Sequence, residues 1–310
     1  MKIRPMLASA TPESLSTLHY PVLASPKIDA IRCLILSAED YEQQTGNECY
    51  TDAVPVTRKL KPIPNRYVRE MLSQRDLIGL DGELAVGLPT GQDVMQRATS
   101  GLMSHDGQPD FHFHVFDNWT RGKTPFNRVY HHLQSLTLPP YISILPQKII
   151  LSAELLSEFE EECLTLKYEG AVTRLPDSPY KFNRSTPREQ YLVKIKQYKT
   201  SEAKIVGFNP WYHNANPLEQ DELGYAKRSS HQENKVAAEM LGSFQVEKDN
   251  ILFSVGGGMT HQQRFLYWKM REELLADGYH VTYKHFANSG VKNKPRQPIF
   301  LNLRHPSDMS

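Results

Sequence analysis

Apolar and polar positions alternate with two periods along this chain, and the changes between them divide it. Pro21–Ser25 and Ile31–Ser37 are short, apolar, β-prone runs that predict two strands, with the polar residues Lys27 and Asp29 presented between them. Asn65–Ser73 predicts a helix capped by Asn65, and Asp93–Met103 predicts another. Leu77–Val86 reads as a strand interrupted by the turn-prone pair Asp81-Gly82. Phe111–Phe116 alternates aromatic and polar residues, the pattern of a half-buried strand ending at Asp117-Asn118. Ala153–Leu166 predicts a helix whose buried stripe is Leu155, Leu156, Phe159, Cys163 and Leu166. Gly170–Arg174 and Tyr191–Ile195 complete the strands of this half, which is mixed α+β rather than built of regular βαβ units.

After Gly207 the texture changes. Asn209–Gln220 is rich in Asn, Pro and polar residues without a period, the mark of a linker or a mobile excursion. Beyond it come strands at Ser243–Glu247 and Ile251–Val255 about a Lys248-Asp249-Asn250 turn, and a helix over about Gln262–Leu275. Further strands follow near His280–Phe286 and Ile299–Leu303. Short strands, tight turns and one helix suit a small barrel such as the OB fold, a common nucleic-acid module.

Length and composition add a few limits. A chain of 310 residues is long enough for two modest domains. No apolar run approaches the roughly 20 residues needed to cross a bilayer, and Met1–Thr11 lacks the apolar stretch of a secretory signal, so the expectation is an intracellular protein with no membrane partner. Cys33, Cys49 and Cys163 form no C-x-x-C pair, which supports neither a disulfide framework nor a zinc site. A net charge of +1 gives no global signal for nucleic acid, although Arg58, Lys59, Lys61, Arg66 and Arg69 make one local basic stretch. His112 and His114 share a strand face without a third ligand and read as ordinary polar residues, and Gly256-Gly257-Gly258 lacks the following G-K-[ST] of a phosphate loop.

Chemistry concentrates in Lys27-Ile28-Asp29-Ala30-Ile31-Arg32, which in extended conformation puts Lys27, Asp29 and Arg32 on one face. From the residues alone this is either an exposed charged edge or a lysine nucleophile with a neighbouring arginine for a phosphate or ribose oxygen. The segment resembles the K-x-D-G-x-R signature of ATP-dependent DNA ligases, RNA ligases and mRNA capping enzymes. Other segments resemble the remaining motifs of that superfamily in order: Arg58 in Thr57–Pro62, Asp81-Gly82-Glu83, Phe116-Asp117, Glu169-Gly170 and Lys194-Ile195-Lys196. Similarity to compact viral ligases of the Chlorella-virus type extends to Pro21–Arg32, Tyr180–Thr186, Gly224–Ser230 and Pro295–His305.

The resemblance implies an adenylation domain over residues 1–201 and an OB-fold domain over 202–310, with a latch-like insert at about 209–242 that closes around duplex DNA. It implies a monomer that encircles nicked duplex DNA and uses ATP with Mg²⁺, or Mn²⁺ in its place. Lys27 would be the nucleophile, with Asp29, Lys194 and Lys196 as catalytic partners. Arg32, Glu83, Phe116, Glu169, Arg296 and Arg304 would bind the nucleotide, Phe116 by stacking on adenine. Glu169 and Glu83 would supply metal or ribose contacts, and Arg58 and Arg184 would hold the nick 5′-phosphate. Two departures stand out: Ala30 replaces the expected glycine of the first motif, and Met309 the basic residue expected at the end of the last. An RNA ligase or capping-type enzyme, and a binding clamp without chemistry, are the alternatives.

Overall fold

The computed structural model describes residues 3–196, 198–220, 226–229, 235–286 and 294–308. They divide into two compact units, and the break falls after Lys196.

In the first unit the order is β1 (Met6–Leu7), β2 (Val22–Pro26), β3 (Ile31–Ser37), α1 (Ala38–Thr45), β4 (Ala53–Thr57), α2 (Arg66–Leu72), β5 (Leu80–Val86), α3 (Val94–Met103) and β6 (Phe111–Asn118). Then follow α4 (Phe126–Gln134), β7 (Ile142–Ile144), β8 (Lys148–Ile150), α5 (Ala153–Thr165), β9 (Ala171–Arg174), β10 (Asn183–Arg184) and β11 (Leu192–Ile195). One sheet has the order β4-β3-β5-β6-β7 and the other β11-β9-β2-β8, while β1 pairs with β10. The five-stranded sheet buries Cys33, Ile35, Leu84, Phe113 and Val115 against apolar residues of α2, α3 and α4 such as Val68, Leu72, Ala98, Leu102 and Val129. The four-stranded sheet buries Val22, Ala24, Ala171, Val193 and Ile195 against Leu156, Phe159 and Cys163 of α5. The α+β expectation therefore holds.

Local chemistry explains where elements begin and where the sequence pattern misleads. Asn65 caps α2 as predicted, accepting from the Val68 N–H at 3.0 Å. Pro55 sits inside β4, which is possible because β4 is a sheet edge. Asp81-Gly82 is not a turn but the middle of β5, at a register shift against β6. A Cβ on Gly82 would overlap the His114 carbonyl oxygen, so glycine there permits close strand approach rather than chain reversal. On α5 the buried residues are Leu156, Phe159, Glu160 and Cys163, whereas Leu155 and Leu166 are exposed: the stripe is narrower than predicted, and the helix ends at Thr165. Burial pushes the Cys33 thiol well up and that of Cys163 to about 12, as expected of unreactive thiols.

The second unit contains β12 (Tyr198–Asn214), β13 (Leu218–Gln220), β14 (Ala226–Arg228), β15 (Lys235–Lys248), β16 (Ile251–Val255), α6 (His261–Lys269), α7 (Arg271–Ala276), β17 (His280–Phe286) and β18 (Ile299–Arg304). Its antiparallel sheet has the order β16-β15-β12-β17-β18 and is centred on Phe244, Val246, Val281, Tyr283 and Phe300. The edges meet at one bridge, Gly257–Ile299, where the Phe300 N–H donates to the Gly257 carbonyl at 2.8 Å. Among the described residues the sheet does not close into a barrel, and its strand order is compatible with an OB fold.

Gly207 marks no linker. It lies within β12, which pairs with β15 as far as Asn214 opposite Lys235, through bulges between Ile205 and Gly207 and around Pro210. Polar composition misleads here because this arm has solvent on much of its surface, with Tyr212 and Val236 exposed, so neither face needs an apolar period. Asp249 and Asn250 both have positive φ, 52° and 61°, as a two-residue hairpin turn requires. The helix predicted over Gln262–Leu275 is two helices that meet at Met270. Among the described residues no helix is long and apolar enough to cross a membrane.

Gly170 is constrained twice over, by its backbone angle and by its neighbour. Its φ is +146°, and a Cβ there would overlap the Ile195 carbonyl oxygen of the neighbouring strand. Gly170→Ala is expected to destabilise the protein by about 1–3 kcal/mol through overpacking alone. Urea unfolding measures this, and an unchanged midpoint would refute the steric account.

Candidate active site

Three strands of the smaller sheet end at one edge, and the residues just past their ends carry charge. Pro26 of β2 and Ile195 of β11 both lie beside Ala171 of β9. One step further, the Lys27 N–H donates to the Gly170 carbonyl at 2.9 Å and the Glu169 N–H donates to the Lys27 carbonyl at 3.0 Å. Lys196 follows Ile195 on the other side. Backbone pairing therefore delivers Lys27, Glu169 and Lys196 to one place from three distant parts of the sequence. Lys27 Nζ is 2.6 Å from Glu169 Oε2, and Lys196 Nζ pairs with Oε1 of the same carboxylate.

The electrostatics of this cluster are dominated by burial and like charge. Burial acts to raise the Glu169 pKa, but Lys27 and Lys196 outweigh it and hold the carboxylate below its usual range. Lys194 is lowered first by desolvation and then by Arg184 and Lys27, so it lies within the field of both cations. Lys196 is lowered by desolvation, Lys27 and Lys194, against the pull of Glu169.

Lys27, Asp29 and Arg32 do not share one strand face: a period of two sets Arg32, three residues after Asp29, on the opposite face, and the three do not lie on one strand. The chain leaves the smaller sheet after Lys27, passes half-buried Asp29, and enters the larger sheet at Ile31. Ala30 is buried and is not among the residues with positive φ, so its methyl group meets no conformational penalty.

In the larger sheet, register places Arg32 opposite Glu83, Glu83 opposite His114, and His114 opposite Ser143. Arg32 is fixed by Asp81, with Nε at 2.5 Å from Oδ1 and Nη2 at 2.6 Å from Oδ2. The Tyr180 hydroxyl donates to the same carboxylate at 2.6 Å and accepts from the Met6 N–H at 3.0 Å. The Arg32 guanidinium lies over the Phe116 ring, 4.5 Å from its centre. Beside this, buried Asp117 pairs with buried Arg174 at 3.2 Å. Asp81, Tyr180, Asp117 and Arg174 were given no role from the sequence. Asp81 had a signal, since it opens the Asp81-Gly82-Glu83 segment, and Tyr180 opens another similar stretch; Arg174 had none.

Glu83 reaches the same region as the lysine cluster, because Arg32, Lys27 and Glu169 all act on its ionisation. Desolvation pushes its pKa up to about 8, with Arg32 and Lys27 opposing. Its Oε2 is buried without a hydrogen-bond partner among the described residues. Phe116 is half-buried on the same face of β6 as His114.

The remaining predicted residues are dispersed. Arg58 is exposed in the turn after β4. Arg184 is exposed on β10 and donates to the Ala8 carbonyl at 2.6 Å. In the second unit Arg304 pairs with Glu202 at 2.6 Å, and the Arg296 carbonyl accepts from the Phe286 N–H at 3.2 Å. Met309 and the Gly224-Tyr225 start of the similar stretch lie outside the described residues. No group of three or more His, Cys, Asp or Glu side chains gathers to hold a metal among the described residues.

Two sheets, antiparallel but for the parallel β6–β7 pair, that bring a lysine, a buried glutamate and a paired-lysine strand together define a nucleotidyltransferase type of fold. No family model and no curated protein matches the sequence. Two structures of Chlorella virus DNA ligase-adenylate are similar to it, at 25% and 27% identity. Each has a TM-score of 0.51 and covers 98% of this chain, with 100% and 99% of the viral chain covered in turn. A Lig E DNA ligase shares the fold at TM-score 0.67 and 21% identity, covering 98% of this chain and all of its own. The fold of this chain is that of the ATP-dependent DNA ligases.

The Glu83 shift has a consequence for stability. Its folded pKa, about 8, exceeds the ordinary value of 4.5, so between these limits the folded protein holds a proton that the unfolded chain has lost. Stability from this group is therefore complete below about pH 4.5 and declines as pH rises to about 8. Glu83→Gln is expected to flatten stability against pH across that window. Urea midpoints at several pH values test this, and parallel profiles for the two proteins would contradict it.

Asp81→Asn leaves Arg32 buried beside a neutral amide. The expected cost is about 3–5 kcal/mol, the range for removing one partner of a buried pair, and chemical denaturation measures it.

Proposed function

We propose that this chain is an ATP-dependent DNA ligase that seals 5′-phosphate/3′-hydroxyl nicks through a lysyl-adenylate on Lys27. The observation that carries the reading is the convergence of Lys27, Lys194 and Lys196 on Glu169. An amine placed among cations within one buried site suits attack on a polyanionic substrate, whose transition-state charge must be met by fixed positive groups.

In the first step Lys27 Nζ forms a bond to the α-phosphorus of ATP as the bond from that phosphorus to the pyrophosphate oxygen breaks. The proton on the nitrogen passes to an acceptor, and Glu169 Oε2 stands within hydrogen-bond distance at 2.6 Å. Lys194 and Lys196 face the α-phosphate and stabilise its developing charge. In the second step a 5′-phosphate oxygen of the nick displaces Lys27 from the AMP phosphorus, with Arg58 and Arg184 holding that dianion. In the third the 3′-hydroxyl attacks the activated 5′-phosphate and AMP leaves, with Asp29 near the reacting ends. Phe116 offers the aromatic surface for adenine, with Arg32 beside it, and we assign Arg296 and Arg304 of the second unit to the leaving pyrophosphate.

Mg²⁺ fits this site as an ion shared with the substrate: the oxygen donors of two carboxylates, Glu169 and Glu83, suit it and would hold it. It would supply charge neutralisation at the phosphates.

Nicked duplex DNA is the substrate, and residues 209–242, where the outer parts of β12 and β15 pair and of which 221–225 and 230–234 lie outside the described residues, are the segment we assign to closing round it as a monomer. ATP as donor places the reaction inside a cell. Affinity for duplex should fall steeply with salt and be blind to sequence, because phosphates and sugars are the contacts.

Labelled ATP with Mg²⁺ is expected to leave a covalent AMP on the wild-type chain and none on Lys27→Ala. An adduct surviving on the variant would reassign the nucleophile. Sealing of a nicked DNA duplex, compared with nicked RNA, tests the polymer, and a preference for RNA would turn the reading toward an RNA ligase.

A further inference from the structure

The Lys181–Gln190 segment of the first unit carries Arg184, and two contacts to the N-terminal strand bring that arginine to the lysine strand. Arg184 lies opposite Leu7, the Ser185 N–H donates to the Leu7 carbonyl at 2.8 Å, and Arg184 Nη1 donates to the Ala8 carbonyl at 2.6 Å. One residue further along, Ser9 bridges Val193, and the Lys194 N–H donates to the Ser9 carbonyl at 3.3 Å. Leu7, Ala8 and Ser9 therefore set Arg184 beside Lys194. The arginine's charge is felt there, since after desolvation it is the next cause that lowers the Lys194 pKa.

Between these contacts the chain leaves the sheet and returns, and Glu189 closes the excursion. Its Oε2 accepts from the Thr186 N–H at 2.9 Å and from the Thr186 hydroxyl at 3.0 Å, while the Glu189 N–H donates to that hydroxyl at 3.2 Å. Both carboxylate oxygens also accept from Lys181 Nζ, at 2.8 and 2.6 Å. One side chain thus ties together residues on either side of Arg184. Lys181 and the Thr186 N–H hold the carboxyl below its usual range, so it is ionised at neutral pH. Beyond it, Gln190 anchors the segment by donating to the Thr17 carbonyl at 2.9 Å and accepting from the His19 N–H at 2.8 Å.

This network does little for the core. The Lys181 and Glu189 side chains are each 31% exposed, and a pair at that exposure contributes little to folding. What it fixes is shape: Asn183, next to Arg184, has a φ of 82°, a conformation that a side chain disfavours and that neighbouring bonds must hold. Arg184 uses one N–H on Ala8, which leaves further donors of its fork for a phosphate dianion. We propose that Glu189 is a positioning residue for the nick 5′-phosphate: by closing Lys181–Gln190 on itself it sets where the Arg184 guanidinium stands beside the lysine strand. This rests on the nick-sealing reading above.

The test uses the full chain and nicked duplexes that end in a 5′-phosphate or a 5′-hydroxyl. Glu189→Ala is expected to weaken binding of the 5′-phosphate nick roughly tenfold, the scale of one lost hydrogen bond to a charged group, and to leave binding of the 5′-hydroxyl nick as in the wild type. Transfer of AMP from the isolated lysyl-adenylate to the 5′-phosphate nick should slow by a similar factor. Glu189→Gln, whose amide oxygen can still accept from Thr186, should recover part of both losses. Arg184→Ala combined with Glu189→Ala should be no worse than Arg184→Ala alone, because the glutamate acts through the arginine. Thr186→Val, which removes only the hydroxyl, carries the same comparison if Glu189→Ala fails to fold. Equal weakening on both duplexes, or additive losses in the double variant, overturns the inference and leaves the ligase reading standing. A wild-type chain that forms no lysyl-AMP overturns both.

Discussion

The structure depends on holding three ammonium groups close together, and one carboxylate makes that possible. At separations of about 4 Å each pair of like charges costs on the order of 4 kcal/mol near a protein surface. Glu169 offsets this for Lys27 and Lys196 by pairing with both. Desolvation comes first in lowering the pKa values of Lys194 and Lys196, and the neighbouring like charges add to it. A substrate carrying several negative charges relieves the same repulsion, so the site is poised for a polyphosphate before one arrives. Gly170 is part of this arrangement, since only a residue without a side chain lets the Glu169 segment lie against Ile195.

The second sheet contributes rigidity of another kind. Asp81 is wholly buried and takes both a bidentate arginine and a tyrosine hydroxyl. Its partner Tyr180 also receives the backbone of Met6, so the polar face of the larger sheet is tied to the N-terminal strand and to the segment before β10. Arg32 is thereby fixed over Phe116, and both are presented on the face that carries Glu83 and His114. The site thus joins a cluster with excess positive charge on one sheet to a satisfied network on the other.

Ala30 shows how a departure from a motif can be harmless. Glycine in such a signature raises the question of a positive φ, and the backbone here has none. Gly82 and Gly170 are the opposite case: both stand in motifs whose acidic residues attract attention, yet each glycine is required by a carbonyl oxygen of the next strand.

Much of the first unit was legible in the sequence. Periodicity located β3, α2, α3, β6, β9 and β11 to within a residue or two, because their apolar faces repeat at the spacing of the element. The second unit was less legible around Asn209–Gln220, where an exposed hairpin arm has no buried face to impose a period. Asp81-Gly82 misled for a related reason, since glycine's freedom to turn and its lack of a Cβ look alike in sequence. By itself the sequence determined the residue types, their order, and a resemblance strong enough to name candidate roles. Only the tertiary structure decided that Lys27 and Arg32 belong to different sheets, that Glu169 bridges two lysines, and that His114 shares a row with Glu83. Those facts come from strand register between segments up to 169 residues apart, from Lys27 to Lys196, which no local pattern encodes.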